Sequence, residues 1–153
     1  MSKILNYTTV ISAKKTILEI TGMLQDAGAM QILTTCSSGK VTGLAFQIKT
    51  AYGMRGYQLP ARVEPCYQVL LEGKKWFVRD TDAKKALIHE QAERVAWRIV
   101  KDWLEANLAL IKLGMVRLDE TMMPYMLVGE DGRTAYEDYC GRQKQLTQGQ
   151  TQP

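Results

Sequence analysis

The chain has 153 residues, 46% of them apolar and 24% charged, which suits one domain with a substantial core. No apolar run is long enough to span a membrane, and the start, MSKILNYTTVI, lacks the apolar centre of a secretory signal, so membrane and exported classes are set aside. The net charge of +4 is uneven: about +1 over residues 1–39, +6 over 40–101 and −3 over 102–153.

Taken in order, Ile4–Ile11 holds Tyr7, Thr8, Thr9 and Val10, and these residue types predict a strand. Ser12 then caps a helix whose apolar face is Ile17, Ile20, Leu24 and Ala27, with Gly28 as its stop. Met30–Ser37 is β-rich. Ser38-Gly39 turns it into a second strand, Lys40–Thr50, in which Leu44, Phe46 and Ile48 share one face. Ala51–Gly56 reads as a second turn with Tyr52 and Arg55 at its tip. A third strand starts at Tyr57–Leu59 and stops at Pro60. Pro65 suits the first turn of a short helix ending near Gly73, and a basic, aromatic stretch from Lys74 to Arg79 follows.

The dominant element is Asp82–Leu113, free of Gly and Pro and followed by Gly114. A continuous helix here is about 48 Å long, so it either breaks near Ile88–Gln91 or runs past its own domain. One apolar stripe holds Ala92, Val95 or Ala96, Ile99, Trp103, Ala106, Leu110 and Leu113. A second holds Trp97, Val100, Leu104, Leu108 and Ile111. A helix apolar over that much of its girth needs cover on two sides. Asp119 is a candidate cap for a short helix ending near Pro124. Tyr125–Val128 is apolar enough to return to the core, Glu130-Asp131-Gly132 reads as a turn, and Thr134–Gln143 as a last helix. The order predicts an α+β fold, with an antiparallel sheet of three to four strands packed against one long helix plus shorter helices. Residues 1–143 form a single domain, and 144–153 form a flexible polar tail.

The chemistry points away from catalysis. One His and three scattered cysteines (Cys36, Cys66 and Cys140) lack zinc-ligand spacing and fit a reducing cytoplasm. No phosphate-binding loop, dinucleotide fingerprint or nucleophile elbow is present. The acidic pairs Asp119-Glu120 and Glu130-Asp131 explain themselves as helix starts and turns. No catalytic residue, metal or cofactor is therefore expected. The basic middle is the better lead. Lys40, Lys49, Arg55, Arg62, Lys74, Lys75, Arg79, Arg94, Arg98 and Lys101 are interleaved with Tyr52, Tyr57 and Trp76. Cations that track phosphates and rings that stack on bases are what a single-stranded nucleic acid requires. Hairpin tips and the Lys74–Arg79 stretch would line such a groove, with Arg94, Arg98 and Lys101 as its floor.

Gln91–Tyr139, with LPARVEPCYQVL (Leu59–Leu70) and ISAKKTILEITGML (Ile11–Leu24), resembles small uncharacterised proteins carried by prophages and integrative elements. The resemblance implies a mobile-element setting inside a bacterial host cell and brings no catalytic residues with it. The element order is also loosely similar to the core of phage single-strand annealing proteins, which implies rings or filaments holding one DNA strand between hairpin and helix. The leading expectation is an oligomeric single-stranded DNA-binding (or RNA-binding) protein, an annealing protein of phage replication or recombination. The alternatives are a non-catalytic phage accessory protein that binds a host or virion protein, and a small metal-dependent nuclease using acidic pairs.

Overall fold

The computed structural model describes residues 3–74 and 81–149. Helix α1, Ala13–Asp26, starts where expected: Ser12 Oγ accepts the Lys15 amide at 3.1 Å. It buries Thr16, Ile17, Ile20 and Leu24, and Gly28 takes a left-handed φ of 98° past its end. The segment before it is not the strand that its β-rich residues predict. Asn6 sits at φ 62°, and the Thr9 amide bonds back to the Asn6 carbonyl at 2.9 Å. Among the described residues no strand pairs with the segment. Instead it is tied to a distant helix, as Gln91 Nε2 donates to the Tyr7 and Thr9 carbonyls, both at 3.0 Å. Local propensity gives way to tertiary bonding here.

Strands β1 (Gln31–Ser37), β2 (Lys40–Thr50) and β3 (Gly53–Gln58) form an antiparallel sheet in that order. Ser38 and Gly39 both have positive φ, 52° and 77°, as a two-residue turn matching strand twist demands. The second turn is tighter than the sequence suggests. Only Ala51 and Tyr52 lie outside the ladder, because Thr50 Oγ1 accepts the Tyr52 amide (3.1 Å) and donates to the Gly53 carbonyl (2.8 Å). Arg55 is therefore a strand residue. Leu44, Phe46 and Ile48 point into the core, as their alternation predicts.

Helix α2 runs Val63–Gly73, with Pro65 in its first turn. Helix α3 is unbroken from Asp82 to Lys112, 31 residues and about 46 Å, and Gly114 follows at φ 75°. Helices α1 and α2 pack against it. Its buried side chains, Ile88, Ala92, Val95, Ala96, Trp97, Val100 and Leu104, end at residue 104. Trp97, Val100 and Leu104 share one cluster with Leu44, Phe46 and Ile48 of the sheet. Beyond them Ala106, Leu110 and Leu113 are exposed. The rod is thus wrapped by its own chain through its middle, and its last turns extend past that cover.

Helix α4 (Leu118–Met122) is capped from Arg117 rather than Asp119, with the Arg117 amide donating to Glu120 Oε2 at 3.1 Å. A 3-10 turn, Met123–Tyr125, sets Tyr125 edge-on against Trp103, ring centroids 5.4 Å apart. Met126–Val128 then returns to the core as expected and borders β3: the Leu127 amide bonds the Gly56 carbonyl at 2.8 Å, and Met126 bridges Tyr57. Helix α5, Ala135–Gly149, continues beyond Gln143 and takes in Lys144–Gly149. The architecture is the α+β arrangement that the element order predicts.

Candidate nucleic-acid interface

The structure separates the predicted basic residues into groups. Strand β2 connects the two hairpin turns, and its eleven residues span about 33 Å. Lys40 stands at one end, and Lys49 with Tyr52 at the other.

At the first end every described cation of the expected groove floor meets an acceptor. Lys40 Nζ lies 3.0 Å from Glu93 Oε1, and the same carboxylate oxygen is 3.2 Å from His89 Nδ1. Arg94 donates to Gln91 Oε1 (2.6 and 2.9 Å) and reaches Glu90 at 3.3 Å. Arg98 pairs with Glu19 of α1. Lys101 pairs with Glu105 at 2.7 Å and approaches Asp102 at 3.8 Å. A cleft of about 480 Å³ opens here among Ser12, Lys14, Lys40, Glu90, Glu93 and Arg94. Its two carboxylates offset two of its three cations, so it is not the uncompensated positive floor that the sequence predicts. Lys74 lines a neighbouring hollow with Arg94, and Arg62 is exposed just before α2. Lys75, Trp76 and Arg79 lie outside the described residues.

The second end differs. Tyr52 is 71% exposed at the tip of the β2–β3 turn. The Arg117 guanidinium lies 5.5 Å from its ring centroid, a cation–π approach. Lys49 and Arg117 line one hollow of about 350 Å³ with Thr50, Ala51, Ile111 and Asp119. Arg55 leads into the same turn, and its Nη1 donates to the Met54 carbonyl at 2.8 Å. Asp119 is held by Arg117 Nε at 3.3 Å. An open ring against one cation, with Lys49 in the adjoining hollow, is therefore assembled from the end of β2 and the loop after α3, while Arg55, paired with Ile48, belongs to the opposite face of the sheet from Lys49. Arg117 was not among the residues the sequence singled out. It sits in the acidic C-terminal third, and only the reversal at Gly114 brings it to the hairpin.

Tyr57 is a correction. Its register opposite Phe46 turns it inward, where it is fully buried and stacked on Phe46 with centroids 5.5 Å apart. A buried ring offers no face to a base. Its hydroxyl has no hydrogen-bond partner among the described residues. Burial raises its pKa above the ordinary tyrosine value, Asp119 raises it further, and Arg55 opposes them.

The acidic pairs have structural partners. Glu120 and Asp119 serve Arg117, while Asp131 approaches Arg133 at 3.7 Å. Among the described residues no three His, Cys, Asp or Glu side chains converge as a metal site, and no helix is long and apolar enough to cross a membrane. No protein-family model, curated protein or solved structure matches this chain.

Proposed function

We propose that this chain binds single-stranded nucleic acid through the β2–β3 turn, as a non-catalytic annealing protein of phage replication or recombination. The observation that carries the reading is the exposed Tyr52 ring against Arg117, with Lys49 in the adjoining hollow. The ring stacks on a base, and the cations meet the flanking phosphates. The nearby carboxylate, Asp119, is already engaged by Arg117 and so repels phosphate less. The resemblance to prophage proteins supports the biological setting. Fluorescence anisotropy with labelled oligo-dT tests the proposal. Affinity falls steeply as salt rises, because phosphate contacts release counterions. Absence of binding at low salt removes the reading.

A second reading rests on a different surface. Leu110, Leu113 and Met115 are exposed where α3 outruns its cover. Such a patch suits a host or virion protein partner. A pull-down that retains one protein after nuclease treatment, and loses it in Leu113→Asp, supports this alternative.

A further inference from the structure

The two edges of the sheet are treated differently. The β3 edge is bordered by Met126–Val128, through the Leu127–Gly56 hydrogen bond and the Tyr57–Met126 bridge. Strand β1 is the other edge, and no described strand pairs with its outer side. It is seven residues long, about 23 Å, and every residue but Ile32 is exposed. Open edges are ordinarily guarded by charge, proline or brevity. QILTTCS contains no charge and no proline, and its one irregularity is a register shift between Thr35 and Cys36. Two large apolar side chains stand beside this edge in water, Met30 at 69% exposure and Leu33 at 68%.

We infer that β1 is the contact by which two copies of this chain pair, antiparallel and edge to edge, joining their sheets across a twofold axis. The charge pattern selects this occupant. A strand with no ion has nothing to recruit a charged partner segment, and against itself it brings no like charges face to face. Self-pairing supplies acceptors and donors to the free backbone groups and sets Leu33 against a cross-strand side chain of the other copy, which shields part of it from water. Closure follows from the other edge. With β3 bordered at Gly56 and Tyr57, a twofold at β1 consumes the longer open edge of each copy, and the isologous contact closes at two. The register shift leaves an extra residue, Thr42, in β2, and the twist that such a bulge adds beside Thr35 and Cys36 disfavours flat stacking into fibres. This inference shares no residue with the Tyr52 site and is tested without nucleic acid.

Sedimentation equilibrium of the full chain over a concentration series provides the test, alongside amide hydrogen exchange. A reversible monomer–dimer equilibrium is expected, with β1 amides gaining protection as concentration rises. Leu33→Lys, at an exposed position that leaves the core intact, weakens the dimer by roughly tenfold or more, since it sets two ammonium groups close together in the interface. Leu113→Lys, a control on the exposed end of α3, leaves it unchanged. The inference is overturned if the chain stays monomeric throughout, if the Leu33→Lys dimer is as tight as the original, or if Leu113→Lys dissociates it.

Discussion

At the Ser38–Gly39 turn, Lys40 reaches 3.0 Å to Glu93, and beside it Arg94 reaches Glu90 and Gln91. At the Ala51–Tyr52 turn, a strand's length away, Arg117 lies against an open tyrosine ring, and Lys49 and Arg117 share one hollow. Both ends are basic in composition, and they differ in degree: Lys40 and Arg94 each meet a carboxylate at the first, whereas at the second the pairing falls on Arg117, through Asp119, and leaves Lys49 to the open hollow. A surface ion pair contributes little to stability, but it does cancel the field that would draw a phosphate. The count of lysines and arginines in a stretch is therefore a poor guide to where a polyanion docks, and the position of the matching carboxylates is a better one.

The largest expected effect separates the two tyrosines. Tyr57→Ala removes a buried ring and costs about 3–5 kcal/mol in urea unfolding, whereas Tyr52→Ala costs under about 0.5 kcal/mol. The order reverses for nucleic acid. Tyr52→Ala weakens oligo-dT binding by about 5- to 100-fold in anisotropy, the worth of one base stacked on an aromatic ring. Lys40→Ala, at the compensated end, changes it by less than about threefold. Equal losses at the two ends would erase the distinction between them. Next in size, Lys49→Ala lowers the slope of log affinity against log salt by about 0.7, as expected for one lost phosphate contact on a single strand, while Arg94→Ala leaves the slope in place.

The smallest effect concerns Tyr57 and pH. Its phenol pKa is raised in the fold, by burial first and by Asp119 second. A raised pKa means that the folded state favours the neutral ring, so this contribution is complete below about pH 10 and is lost as pH climbs through the folded value. Urea midpoints between about pH 9 and 11 decline for the native chain, and decline less for Tyr57→Phe. At neutral pH Tyr57→Phe is neutral or stabilising by up to about 1 kcal/mol, because the hydroxyl it deletes has no partner.

Sequence alone determined what depends on neighbours a few residues apart. The Ser12 cap, the positive-φ turn at Ser38-Gly39, the inward face Leu44–Phe46–Ile48 and the long α3 stopped by Gly114 all follow from local propensity and periodicity. Tertiary structure decided the rest. Ile4–Ile11 lost its predicted strand to bonds with Gln91, more than eighty residues on. Tyr57 turned inward because its register sets it opposite the core residue Phe46. Lys40 lost its freedom to Glu93, 53 positions away, and Arg98 to Glu19, 79 away. Arg117 gained Tyr52 because the chain reverses after α3. Backbone preference acts over one turn or one hairpin, whereas the pairing of charges and rings acts through space, and only the folded chain sets those distances.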